Sequence, residues 1–198
     1  MTVAIIQYKA GNIHSVVYAL KRLSVHPIVT DKAEQIQQAD KVIFPGVGEA
    51  SSAMRYLKER KLNDVIINLS QPVLGICLGM QLMCAYSEEN NTTCVNIFDE
   101  TRKRFQPLPD SEEWKVPQVG WNSISNLKTN LFTNIAENSY CYFVHSYYAA
   151  LGEHTIATTH YIQPYSAALH KKNFYGVQFH PEKSATVGEQ ILQNFLNL

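Results

Sequence analysis

Cys77 stands in Gly75-Ile76-Cys77-Leu78-Gly79, and 103 residues after the first of these glycines comes Gln178-Phe179-His180-Pro181-Glu182. The first stretch follows the apolar Pro72-Val73-Leu74 and leads into Met80-Gln81-Leu82-Met83. That pattern reads as strand, sharp turn and helix, with the cysteine at the turn. A G-x-C-x-G spacing has the logic of a nucleophile elbow. Small residues on both sides permit a strained turn that lifts the sulfur above the sheet edge. The helix starting there aims its N–H groups at the sulfur and favours the thiolate. His180 and Glu182, two apart on what reads as an extended segment, should point to the same side. Cysteine, histidine and carboxylate are the nucleophile, base and orienting group of acyl transfer.

A cysteine in an apolar stretch is more often a small core residue. Cys84 and Cys141 read that way, and Cys94 follows a polar stretch that decides nothing. Cys77 differs through its glycines and its strand-to-helix position. The two motifs, in this order, point to a thiol acyl-transfer enzyme.

The elements that must position these groups alternate in the first half. Val3–Gln7 is apolar and β-branched, and residues 12–23 carry Ile13, Val16, Val17, Leu20 and Leu23 at helical spacing. Residues 27–30 and 41–44 read as short strands, residues 50–68 as helix in two pieces, 72–76 as the strand before the elbow, and a helix then runs to about Tyr86. Such alternation predicts a parallel sheet flanked by helices on both faces. Residues 140–149, 155–160, 166–170 and 175–179 read as antiparallel or mixed strands added to it, and 188–196 as a closing helix. Reactive groups belong at the carboxyl ends of parallel strands, and Gly11, Gly46, Gly48 and Cys77 each follow a predicted strand. Residues 88–118 read as a polar surface excursion.

The length, 198 residues, suits one domain with a full core. Seventeen basic and 17 acidic residues cancel, so nothing suggests nucleic acid or an acidic tail. Four scattered cysteines match neither a disulfide framework nor a metal site. The N-terminus lacks the basic region of a signal peptide. The most apolar stretch, Val73 to Tyr86, is interrupted by Gly75, Gly79 and Gln81 and is too short to span a bilayer. The expectation is a cytoplasmic protein with a free thiol and no membrane contact.

With Cys77, His180 and Glu182 placed, the chain resembles the class I (triad-type) glutamine amidotransferases over nearly its full length, which implies a single such domain over residues 1–198. Pro45-Gly46-Val47-Gly48, Val119-Gly120-Trp121-Asn122, Tyr142-Phe143-Val144-His145-Ser146-Tyr147 and the run from Gly176 to Ser184 narrow the likeness. They resemble the glutaminase subunits of imidazole glycerol phosphate synthases of histidine biosynthesis. The resemblance implies a flavodoxin-like α/β fold, hydrolysis of L-glutamine without cofactor or metal, and delivery of ammonia to a separate (β/α)8-barrel synthase subunit. That subunit would form imidazole glycerol phosphate and an aminoimidazole carboxamide ribotide.

It also implies roles. Cys77, His180 and Glu182 form the triad. Leu78 and the loop of Gly46, Val47 and Gly48 supply oxyanion donors. Glycines around Val47 let that peptide turn over at low steric cost, so the loop could switch a donor in and out. Gln81, one turn after Cys77, joins His145, Ser146, Tyr147, Gly46 and Gly48 around the substrate. Glu89 falls where the family has a carboxylate near the substrate, although the adjacent Glu88 competes for that place. Asn12, Trp121, Asn122, Tyr142 and Lys183 match positions bordering the synthase and the ammonia path. Read without the family, Val47's loop is an ordinary strand-to-helix connection, His145 a core histidine, Trp121 a core ring and Lys183 a solvated charge.

Gln118 departs from the family, which often has His there. Two other enzyme readings therefore stand: a glutaminase subunit for another ammonia-consuming synthase, as in surface-sugar amidination, and a free-standing γ-glutamyl hydrolase. A non-catalytic scaffold would commonly have lost one of the three triad residues.

Overall fold

The computed structural model describes residues 1–8, 13–107 and 114–198. Gly11 and Asn12 therefore lie outside the described residues. In chain order the elements are β1 (Val3–Ile6), α1 (Ile13–Arg22), β2 (Ile28–Thr30), α2 (Ala33–Gln38), β3 (Lys41–Gly46), α3 (Ala50–Glu59) and α4 (Leu62–Ile67). Next come β4 (Val73–Cys77), α5 (Leu78–Met83), β5 (Cys84–Ser87), β6 (Thr92–Thr93), β7 (Phe98–Arg104) and β8 (Gln118–Ile124). The chain continues through β9 (Ser139–His145), β10 (Tyr147–Ala149), β11 (Thr155–Tyr161), β12 (Gln163–Lys171), β13 (Phe174–Val177) and α6 (Ala185–Leu196).

The central sheet has seven strands in the order β11-β12-β13-β4-β3-β1-β2. From β13 to β2 neighbours are parallel; β11 and β12 add antiparallel strands. The expected mixed, mostly parallel sheet is what forms. Its parallel part, however, draws its fifth strand from the far end of the chain, placing β13 directly beside β4. The inner strands are buried on both faces, as a parallel sheet requires. Val3 and Ile5 enter one apolar cluster with Val16, Leu20 and Phe195, while Ala4 and Ile6 enter another with Ile36, Leu57 and Leu82. The alternation follows the two-residue period of the strand. It sets α1 and α6 on one face and α2, α3, α4 and α5 on the other.

Three expectations are corrected. The helix after the elbow ends at Met83, and Cys84–Ser87 is strand, because it pairs with β6 and β7. Long-range pairing decides a four-residue segment more strongly than its own composition. Residues 88–118 are not merely an excursion, since β7 lies within them and builds a second sheet, β10-β7-β5-β6. The short α2 was not foreseen; a six-residue helix burying only Ile36 leaves no periodicity to read. A third sheet, β8-β9, completes the layer over the carboxyl ends of β4 and β13.

Candidate active site

Cys77 is the last residue of β4 and has φ 52° and ψ −109°, a left-handed conformation costly for a residue with a Cβ. The neighbouring glycines make the turn possible. A Cβ on Gly75 would meet the Met80 nitrogen at 2.7 Å, and one on Gly79 would run into the Phe44 carbonyl. Strand, turn and helix can therefore touch only without side chains there. The sulfur stays 3.7 Å from the Val144 carbonyl oxygen, and the residue is buried.

His180 reaches Cys77 from the adjacent strand. Val177 of β13 lies in register with Ile76, so the chain beyond β13 runs past the elbow. The Cys77 sulfur favours charge on the His180 ring, whose Nδ1 lies 2.7 Å from Glu182 Oε1. Glu182 does not lie on an extended segment, as expected from the sequence. Pro181–Lys183 is a single 3₁₀ turn after an extended His180, and the carboxylate meets the ring across that turn. Burial, the largest single effect, disfavours charge on the His180 ring. Charge and hydrogen bonding from Cys77, with the hydrogen bond and charge of Glu182, outweigh it and push the pKa up to about 10.

A cavity of about 220 Å³ opens beside the sulfur, walled by Val47, Gly48, Cys77, Leu78, Gln81, Glu89, Arg102, Pro117 and the run from Val144 to Tyr147. It is smaller than the ~300–1,000 Å³ of drug-sized sites and suits an amino acid. A wider depression of about 790 Å³, between Pro72, Asn130 and Leu198, lies away from Cys77 and has no cysteine or histidine in its lining. The structure thus gathers Val47, Gly48, Leu78, Gln81, Glu89, His145, Ser146 and Tyr147 around Cys77. Gly46 lies behind the loop, near His180 and Lys183. Between the two candidate carboxylates, Glu89 faces the cavity; Glu88 Oε2 instead accepts the Arg104 N–H at 2.7 Å. Glu89 Oε2 accepts the Ala50 N–H at 2.9 Å, at the start of α3. Among the described residues no group of three His, Cys, Asp or Glu is placed to hold a metal.

The family model for class I glutamine amidotransferases matches residues 4–198. A Bacteroides fragilis protein named imidazole glycerol phosphate synthase subunit HisH is 58% identical over 198 residues, covering all of both chains. The chain belongs to the class I glutamine amidotransferases and, within them, to the HisH subunits. HisH of Bacteroides thetaiotaomicron is 56% identical over the full length of both chains, and HisH of Idiomarina loihiensis is 42% identical, covering 100% of this chain and 98% of its own. The fold is shared with a glutamine amidotransferase of Thermotoga maritima at TM-score 0.64 and 16% identity, covering 100% of this chain and 83% of that one. Another glutamine amidotransferase structure aligns at TM-score 0.74 with 16% identity, covering 98% of this chain and 97% of its own.

Several side chains at the HisH site were not singled out from the sequence. Gln178, fully buried, lies in register beyond Val177 and directs Nε2 at the Cys77 sulfur from 3.7 Å. Its Oε1 accepts from Gln81 Nε2 at 2.8 Å, and Gln81 also donates to the Tyr147 carbonyl at 2.9 Å. The Tyr8 hydroxyl donates to the Pro45 carbonyl at 2.7 Å, holding the strand end that leads into the Val47 loop. Arg102 is 1% exposed on the cavity wall. An isolated Gln, Tyr or Arg gives no sequence signal of such a place.

Gln118 is 3% exposed, and its Oε1 lies 2.8 Å from the Tyr165 hydroxyl, which is 3.0 Å from His145 Nε2. His145 Nδ1 lies 2.7 Å from the Tyr147 carbonyl, so that nitrogen carries the proton. Burial, partly offset by that bond and reinforced by the charges of His180 and Arg102, pushes the His145 pKa down to about 3. A neutral ring then accepts at Nε2, and among the described residues the Tyr165 hydroxyl is the donor placed there. One hydroxyl proton cannot serve two acceptors, so the Gln118 amide must turn its NH₂ toward Tyr165. The departure at Gln118 thus completes a buried relay rather than opening a gap.

At the expected partner surface, Trp121 is 53% exposed and its ring meets Tyr142 edge-on at 5.9 Å. Lys183 Nζ lies 6.0 Å from the Tyr142 ring centroid. Asn122 is pinned on the protein itself, its Nδ2 donating to the His160 carbonyl at 2.9 Å. Among the described residues no helix is long and apolar enough to cross a membrane.

Proposed function

We propose that residues 1–198 act as one glutaminase domain in which Cys77, His180 and Glu182 are the catalytic triad. The observation that carries this reading is the His180 ring held 2.7 Å from the Glu182 carboxylate on the chain that runs past the Cys77 elbow. The Cys77 thiolate attacks the side-chain amide carbon of L-glutamine. His180 holds the proton and gives it to the nitrogen that leaves as ammonia. Glu182 keeps the imidazole oriented and supports its charge. Water, deprotonated through His180, then cleaves the γ-glutamyl thioester and frees glutamate. No cofactor is needed for these steps.

The oxyanion of each tetrahedral intermediate is held by the Leu78 N–H and by an N–H of the Val47-Gly48 loop. Loss of one such donor lowers the rate about 100- to 1,000-fold, so turning the Val47 peptide would gate hydrolysis. Ammonia passes to a (β/α)8-barrel synthase subunit docked over Trp121, Asn122, Tyr142 and Lys183, with Asn12 at its border. There it enters imidazole glycerol phosphate. The pair works in the cytoplasm.

Glutamate release from glutamine, measured with and without the synthase subunit and its nucleotide ligand, tests the reading. Strong activation by the subunit, abolished by Cys77→Ala, is expected. Equal activity with and without the partner would favour an independent γ-glutamyl hydrolase. Silence of the wild-type pair in the presence of its ligand would sink the assignment.

A further inference from the structure

Arg102 enters the cavity wall from β7, outside both triad motifs. Its guanidinium is almost completely shielded from solvent, yet only Nη2 meets an acid, Glu89 Oε2 at 3.5 Å. Nε and Nη1 are buried without a nitrogen or oxygen partner, the Cys94 thiol being the other polar group against the guanidinium. The guanidinium also lies 5.4 Å from the centroid of the Tyr147 ring, which lines the same cavity. A buried, permanently charged group with two idle donors is costly to maintain. Such groups in a ligand cavity are normally satisfied by what binds there.

The cavity wall therefore presents one cation and one anion side by side, with the thiol on the same cavity. That arrangement matches a free α-amino acid, whose head carries one carboxylate and one ammonium while its side chain reaches away to the nucleophile. Peptide-linked glutamine carries neither charge at its α-carbon. We propose that Arg102 receives the α-carboxylate of the substrate while Glu89 faces its α-ammonium, so that Arg102 selects free glutamine over glutamine blocked at the carboxylate. This inference rests on the glutaminase reading. Arginine suits the task because its planar donors match a carboxylate and remain charged at all working pH.

The test uses the full chain with its synthase subunit and nucleotide ligand. Formation of the deamidated amino acid is measured from L-glutamine (glutamate) and from L-glutamine α-amide (isoglutamine), which keeps the reacting side chain and the ammonium but lacks the carboxylate. In the wild type, glutamine should be preferred. In Arg102→Met, KM for glutamine should rise at least tenfold with a smaller change in kcat, while kinetics on the α-amide stay the same. The preference should collapse toward parity. Arg102→Gln, which keeps polarity at a buried place, should do likewise and serves if the Met variant does not melt cooperatively. Equal losses on both substrates, or an unchanged preference in a folded variant, would overturn the role of Arg102 and leave the glutaminase reading intact. A wild-type pair that hydrolyses neither substrate would remove both.

Discussion

At the residue scale, two buried histidines 35 positions apart are held in opposite protonation states by their surroundings. An unfolded histidine titrates near ~6.5. His145, held at about 3, refuses a proton that the unfolded chain accepts as pH falls below that value. Its contribution is complete at neutral pH and is lost on acidification, at up to about 1.4 kcal/mol per pH unit. His180, raised to about 10, runs the other way: its contribution is complete below ~6.5 and is lost as pH climbs toward 10. Urea unfolding from pH 5 to 9 should therefore show falling stability on both sides. His145→Gln should flatten the acid limb and leave the alkaline one; an unchanged acid limb would refute the assignment. The relay makes a second demand. Gln118→Leu leaves the Tyr165 hydroxyl without its amide partner, and a loss of about 1–3 kcal/mol by denaturant titration is expected.

At the element scale, the elbow depends on how closely α5 lies on β3 and β4. Gly79 packs on the Phe44 carbonyl, so Gly79→Ala must push the helix off the sheet. Melting should drop by an amount corresponding to about 2–4 kcal/mol. Glutaminase activity should fall further than stability does, because Cys77 and Leu78 ride on the same turn. A variant that melts like the wild type would show that the helix gives way at little cost. The strand end before the Val47 loop has a separate support in Tyr8, whose hydroxyl holds the Pro45 carbonyl. Tyr8→Phe removes one buried donor while keeping the ring against Phe44, 5.4 Å away. A stability loss of about 1 kcal/mol is expected. If the bond orders the Val47 loop, activity with the synthase bound should change by more than that loss accounts for.

At the scale of the whole molecule, the aromatic patch and the triad share backbone. The His180 N–H donates to the Tyr142 carbonyl at 2.8 Å, and the Ser184 hydroxyl accepts the Tyr142 N–H at 2.9 Å while donating to the His180 carbonyl at 2.7 Å. A subunit docked on Tyr142, as proposed, would sit one backbone hydrogen bond from His180. Trp121→Ala should weaken association with the synthase subunit by about 2 kcal/mol or more, roughly 30-fold in Kd, as for an interface anchor. The isolated chain should melt unchanged, since the indole is exposed. Calorimetric titration of the two subunits reads this directly, and unaltered affinity would move the interface elsewhere.

The sequence alone determined the parts carried by local pattern. Glycines around Cys77 demand a turn, the alternating apolar runs demand a sheet with helices on both faces, and His-Pro-Glu sets an imidazole beside a carboxylate. The Val47–Gly48 loop and the His145–Tyr147 run, which line the cavity, were legible because they are contiguous. Tertiary structure decided what depends on residues far apart in the chain. Cys84–Ser87 became strand because β7 was there to pair with it. Glu89 rather than Glu88 faces the cavity because Ala50 and Arg102 hold its carboxylate while Arg104 holds the other. Gln178 meets the sulfur through the β13–β4 register, Gln118 closes the relay through Tyr165, and Arg102 reaches the cavity through a second sheet. A side chain's local pattern reports which way it can point along its own strand or helix; only the packing of those elements against one another settles what it meets.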